Sequence, residues 1–534
     1  MSSNLLNNDT VSSKSKGLGF TNFDLGFHLN PIDDIEISSE IRIENQFGGM
    51  WGNESDVKLR TLSAQGIINS RIGFQVGDFN LKQSKYLLYN YSQEFSEYES
   101  LIFKDYKDYI NYENFYQSNS WRLQGIRSSF SYNFYNQIEE LSFDLFTARV
   151  NGQEWSVASP NWAGSPELLM SGIKSKIKLS SKTNITSTYI NSYNLPSTSI
   201  NSINVKNSVI STRVSKKLKI INLPSRIDFE LGISNKNWSN VENAPELTGK
   251  FMDIRVKSAF KKINFNSEFR YVEANFRSSG AQTRRVNFNQ GPSAYPFYSN
   301  NSIPRQIGFL DILTDPTIYN QTIQTQLAYY NPIYGSIEPY GNATPNRIGL
   351  LFELENKSII PYSHIKFKTK YFSEIIGEGT SNLKKFYKND IVFSTKLNKL
   401  FKFERRIDLY SALSNESVKR NGISYEIVDF NTIFFNTECA LEIIDKFYFV
   451  LGYTQLYSKG KDFISVRDEY DVVVDFDELN IDLYENIFSF GFMHMFSEKI
   501  YFTIKHNSFN IIDNTKQLEE FNINRLQFMF NMNL

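Results

Sequence analysis

FNINRLQFMFNMNL, residues 521–534, ends the chain and decides its fold. Leu526, Phe528, Phe530, Met532 and Leu534 share one parity. Arg525, Gln527, Asn531 and Asn533 share the other, with Met529 as the apolar exception. Side chains alternate across a strand, so this stretch is a β-strand with one apolar and one polar face. The alternation runs to the last residue with no polar tail behind it.

The same two-residue period recurs upstream. Ile35, Ile37, Ile41 and Ile43 alternate with Glu36, Ser38, Glu40, Arg42 and Glu44. Ile173, Ile177 and Leu179 oppose Lys174, Lys176 and Lys178. Ile227, Phe229, Leu231 and Ile233 oppose Asp228 and Glu230, and Phe265 and Phe269 oppose Glu268 and Arg270. Ile365, Phe367 and Tyr371 oppose Lys366, Lys368 and Lys370. Such alternation marks strands with one buried or lipid-facing side. Short turns are expected near Asn136, Lys182, Pro224, Lys262, Lys357, Asp445 and Lys499. Long connections are expected over 151–166, 236–247, 275–345, 416–427, 458–480 and 511–520. The N-terminal quarter breaks the rhythm at 46–63 and 77–119, where a strand is distorted or hidden.

Composition narrows the class. No stretch reaches the roughly 18 consecutive apolar residues of a spanning helix. Aromatics make up 15% of the chain, with 45 Phe and 31 Tyr, and disordered chains are poor in them. Formal net charge is zero, which leaves no basic field for nucleic acid. The one cysteine, Cys439, excludes an internal disulfide framework.

The final strand resembles the C-terminal strand by which outer-membrane barrels are recognised and closed, and residues 19–534 resemble the outer-membrane porin class as a whole. That resemblance implies an all-β fold: a single large antiparallel transmembrane β-barrel of roughly 16–20 strands, with short periplasmic turns and long extracellular loops. It implies a place in the bacterial outer membrane, among its lipid. Leu526, Phe528, Phe530, Met532 and Leu534 would then form the lipid face of the closing strand. Residues 1–18 read as a disordered N-terminal segment. MSSNLLNNDTVSSKSK lacks the charged-then-apolar pattern of a secretory signal, so the expectation is a mature chain or a fragment.

In a barrel this wide the interior holds water, so the charged parity belongs inside; on the lipid face a charge costs about 2–4 kcal/mol at mid-depth. Lys174, Lys176, Lys178, Lys366, Lys368, Lys370, Glu36, Glu40 and Glu268 are therefore the expected lumen-facing groups. Segment 275–345 holds seven of the 14 prolines and reads as a stiff excursion, a candidate constriction or an external cap. Arg277, Arg284 and Arg285 are its candidate pore-narrowing groups. Segment 86–121 is rich in tyrosine, with Ile102, Tyr106, Tyr109, Tyr112 and Tyr116 at helical steps, and reads as an aromatic loop or helix insertion.

No catalytic, cofactor or metal site is expected. The four histidines lack ligand spacing. His506 and Ser508 are similar to the His-x-Ser of outer-membrane phospholipases, but Phe509 and Asn510 stand where that motif needs glycine. The leading functional expectation is a passive channel for small polar solutes. The alternative is a structural or assembly barrel, a non-catalytic subunit of a secretion or surface-display complex with other outer-membrane partners.

Overall fold

The computed structural model describes residues 2–6, 15–16, 20–46, 55–88, 123–134, 138–150, 168–194, 204–239, 244–281, 337–338, 341–357, 361–467, 472–497, 499–515 and 519–532. Two short strands come first, β1 (Ser2–Leu6) and β2 (Ser15–Lys16). The wall then begins with β3 (Phe20–Ile32), β4 (Ile35–Gln46), β5 (Ser55–Ile68) and β6 (Ile72–Phe79). It continues through β7 (Leu123–Asn133), β8 (Glu140–Val150), β9 (Leu168–Ser180) and β10 (Thr183–Asn194). Next are β11 (Asn204–Ile220), β12 (Leu223–Ser239), β13 (Leu247–Phe260) and β14 (Ile263–Val272). Then come β15 (Arg347–Lys357), β16 (Ser363–Ser373), β17 (Lys385–Lys396) and β18 (Ile407–Arg420). The last are β19 (Val428–Ile444), β20 (Phe447–Arg467), β21 (Val473–Met495), β22 (Ile500–Asp513) and β23 (Glu519–Met532).

From β3 to β23, 21 strands form one antiparallel sheet in sequence order. The fold is that of a large β-barrel wall. Among the described residues no helix is long and apolar enough to cross a membrane, and the one α-helix, α1 (Leu397–Phe401), sits in a turn. Among the described residues the wall has one strand more than the expected range, and β5 accounts for it. Glu40 pairs with Thr61 but Ile41 pairs with Leu59, leaving Arg60 as an inserted residue. This bulge moves the outward apolar set from Val57 and Leu59 to Leu62 and Ala64, so the alternation is lost in mid-strand. A bulged strand therefore looks like a loop in sequence.

Connections sort by end. Short turns at 33–34, 69–71, 181–182, 221–222, 261–262 and 445–446 join strands at one end. The long connections 80–122, 151–167, 240–246 and 273–346 lie at the other. Met532 pairs with Ile500, so β23 finishes at the short-turn end. Several connections are shorter than expected, and the one over 458–480 shrinks most. Most of 458–480 is strand, because β20 and β21 remain paired as far as Arg467↔Val473.

The seam differs from expectation too. Where disorder was expected over 1–18, Ser2–Leu6 is a strand antiparallel to β23, from Ser2↔Arg525 to Leu6↔Phe521, and also pairs with β2. Among the described residues β3 pairs with β4 alone. With 21 alternating strands, β3 and β23 run in the same direction, and the described ladders do not join them into a ring.

Candidate functional site

The two faces of the wall differ in chemistry. On the outer face Ile210, Leu231, Ile233, Leu350, Ile391, Leu413, Phe488 and Phe528 are exposed, as a lipid-facing band requires. The inner face carries ion pairs across strands. Asp24 receives both Arg42, at 2.7 Å, and Arg60, at 2.6 Å. Arg127 meets Asp144 at 2.9 Å, and Lys388 meets Glu416 at 3.4 Å. Charges of both signs are thus paired between neighbouring strands on this face.

Segment 80–88, which follows β6, folds against this inner face and reaches β12–β14. Ser84 donates to Glu230, and Tyr86 donates through its hydroxyl to Asp253 at 2.9 Å. The Tyr86 ring stacks on Phe251 with centroids 4.1 Å apart. Lys85 lies 2.7 Å from Asp253 and 2.8 Å from Glu268. Glu268 also accepts from Arg255 at 3.0 Å and Arg270 at 2.6 Å. Arg270 in turn pairs with Glu338, which Lys370 also contacts. A buried carboxylate among three cations is a clamp: it holds one inserted segment to β13–β14 and, through Arg270 and Glu338, a second to β16.

The second inserted piece is the β14–β15 connection, described at its two ends. Phe276 packs edge-on to Phe251 at 5.2 Å. Gly249 permits this approach, since a Cβ there would sit 2.2 Å from the Phe276 nitrogen. Leu81, Tyr86, Leu87, Leu88, Phe276, Ala281 and Ala343 bury together with Phe146, Met170, Val209, Phe251 and Val272 of the wall. The upper inner face of β8–β14 is thus apolar and covered, while the ion-paired charges lie beside and below it. At about 25 cal/mol per Å² of apolar surface, side chains this large hold the segments inward far more strongly than any one polar contact.

Lys174 lies opposite Asp144 and Lys176 opposite Ser142, and Lys178 meets Glu139 at 3.0 Å. Lys366 is 3.8 Å from Glu353, Lys368 is opposite Asp390, and Lys370 contacts Glu338. Glu36 accepts from Gln65 at 2.9 Å, and Glu40 lies 3.6 Å from Arg60. Leu526, Phe528, Phe530 and Met532 are exposed on one face; Leu534 lies outside the described residues. Arg277 is buried: its amide donates to Ser234 at 2.9 Å and its guanidinium to the Ala274 and Phe276 carbonyls at 2.8 and 2.9 Å. Arg284 and Arg285, like most of 86–121 and 275–345, lie outside the described residues.

His506 and Ser508 share the outer face, with Ser508 opposite Asn524. The His506 ring lies 5.2 Å from Phe490, and no hydrogen bond joins it to Ser508. Among the described residues no group of His, Cys, Asp and Glu could hold a metal ion. Sequence reasoning missed Lys85, Tyr86, Arg255, Arg270 and Glu338 as a set. No local pattern could have found them, because Lys85 and Glu268 are 183 residues apart.

Two outer connections touch. Glu426 accepts from Thr380, from the Ile423 amide at 3.0 Å and from Asn382 at 3.2 Å. The Thr380 hydroxyl, then the Ile423 amide, hold its carboxyl below the ordinary value of 4.5. A lowered folded value means the contact stabilises above the ordinary value and is lost as pH falls through the lowered one. Proteolytic nicking of 374–384 should therefore rise only below about pH 4.5. In Glu426→Gln that rise should be absent.

No protein-family model matches this sequence, and no curated protein matches it. Among solved structures, the chain is similar to OccK10 (OpdN) of Pseudomonas aeruginosa at 8% identity and TM-score 0.38, covering 82% of this chain and 96% of that one. It is similar to the P pilus usher PapC translocation pore at 7% identity and TM-score 0.40, covering 99% and 98%. It is similar to Wzi of Escherichia coli, an outer-membrane carbohydrate-binding β-barrel involved in group 1 capsule assembly, at 9% identity and TM-score 0.33, covering 77% and 81%.

Proposed function

We propose that this chain is an outer-membrane barrel that passes small polar solutes passively through an interior narrowed by its own inward-folded segments. The observation that carries this reading is the clamp at Glu268, which fixes segment 80–88 and, through Arg270 and Glu338, the far end of the β14–β15 connection to the inside of the wall. Barrels of about 16–18 strands already leave an aqueous channel, and wider ones leak unless filled. A 21-strand wall therefore needs an internal obstruction to set an aperture. Inner charges of both signs, paired across strands, favour weak ion selectivity. Arg277 then acts as an anchor for the β14–β15 connection, and its guanidinium is engaged by carbonyls rather than offered to solute.

Planar-bilayer recording of the purified protein tests this. Deleting Arg284 to Tyr340 and bridging with a short Gly-Ser linker should raise single-channel conductance several-fold. Loop-closure cost grows only with the logarithm of length, so the wall should survive. An unchanged conductance in a deletion variant that keeps heat-modifiable migration would make the segment an external cap. A second reading, the assembly barrel, is favoured by the β20–β21 ribbon, which overhangs both neighbouring strands. Absence of any conductance, together with a stoichiometric partner in a pulldown, would decide for it.

A further inference from the structure

β20 and β21 form a ribbon that rises past its neighbours at the long-connection end. β19 follows β20 only to Asp429↔Lys461, and β22 follows β21 only to Leu483↔Asp513. One side of the overhang is covered. Lys384 donates to Asp462 at 2.7 Å and to the Phe463 carbonyl at 2.5 Å, and Gly379 sits against the Phe476 ring. The other side is open. Beyond the bond from the Asn514 amide to the Asp482 carbonyl at 2.9 Å, Val473–Ile481 has no ladder partner on that side among the described residues. At about 3.4 Å per residue this leaves an edge of roughly 30 Å.

Proteins blunt such edges with charged side chains, above all lysine, and with proline, bulges or a covering loop. Val473–Ile481 contains no proline and no lysine. It does have an irregularity at its tip, where Val466 pairs with Asp475 and Arg467 with Val473. Val474 is 60% exposed there. Beside it Asp475 and Asp477 are exposed and have no cationic partner among the described residues, whereas Glu478 is taken by Lys461 at 2.6 Å. A β-branched residue on a free edge favours strand pairing, and unpaired carboxylates next to it favour one charge type in the incoming strand.

We propose that the free edge of β21 is a strand-addition site for an extended segment of a partner polypeptide that carries Lys or Arg at alternate positions. Main-chain hydrogen bonds supply the affinity, and Asp475 and Asp477 supply the selection. The inference is independent of solute conduction.

The test uses the full chain in detergent and a fluorescein-labelled nonapeptide of alternating Lys and Val, followed by anisotropy. A second peptide of the same sequence carries N-methyl groups on alternate amides. The expected results are saturable binding of the first peptide and at least tenfold weaker binding of the N-methylated one. D475K/D477K should weaken the first peptide at least tenfold. D475N/D477N, which keeps side-chain volume, should weaken it to a lesser degree, with heat-modifiable migration confirming that both variants fold. Absence of binding, equal binding of the N-methylated peptide, or binding indifferent to both double variants would each overturn the proposal.

Discussion

Glu268→Gln is expected to loosen the polar attachment of segment 80–88 while leaving its apolar side chains packed and the barrel assembled. Glu268 is 5% exposed and faces Lys85, Arg255 and Arg270. Breaking a buried pair by removing one partner costs about 3–5 kcal/mol, because the opposite charge stays buried without compensation. Asp253 still holds Lys85 at 2.7 Å and Glu338 still holds Arg270, so the loss falls mainly on Arg255 and only partly on Lys85. The ladders of β13 and β14 do not involve the carboxylate, and heat-modifiable migration should persist. Conductance in planar bilayers should rise and become noisier, and a label at Lys82 should gain mobility. Glu353→Gln is the control. Its pair with Lys366 is 3.8 Å long and both partners are partly exposed, so an effect within about 1 kcal/mol is expected. Equal behaviour of the two variants would remove the clamp from the account.

The second large effect is at the C-terminal strand. Phe528 and Phe530 are 62% and 59% exposed on the outer face of β23. Replacing both with Asp puts two carboxylates against hydrocarbon, each at a cost of up to about 2–4 kcal/mol, somewhat less for Asp than for Lys or Arg. Removing β23 altogether would leave β22 with an edge that lipid cannot satisfy. The double variant should fail to assemble, seen as loss of the heat-modifiable band. Asp at Gln527, on the inner parity, should assemble normally. A normal band from the Phe528 and Phe530 variant would reverse the face assignment of β23.

Much of the wall was legible in sequence because each strand must solve the same problem. β4, β9, β12 and β16 have a strict two-residue period, since one face meets lipid and the other meets water and countercharges. Where that problem changes, the signal fails. β5 lost its period at the Arg60 bulge. The overhanging part of β20 and β21 has water on its outer side, so VVVDFDELN is polar on both parities and looked like a loop. The interior was illegible for a different reason. Phe146, Met170, Val209 and Phe251 lie on the inner parity, which elsewhere carries charge, because inserted segments cover them. Their partners come from distant connections, and no periodicity records which loop folds inward. The Pro-rich segment suggests a pore-narrowing Arg277, whereas its burial depends on contacts to Ser234 and Asn207 that local sequence does not contain.

One parity of every strand faces lipid and the other faces an aqueous interior. Spin labels along β9 test it most directly, placed singly at residues 173–179 in a Cys439→Ser background and measured in liposomes. Collision rates with oxygen should peak at Ile173, Ser175, Ile177 and Leu179, and rates with a water-soluble nickel chelate at Lys174, Lys176 and Lys178. Uniform chelate access on both parities, or the opposite alternation, would contradict the account.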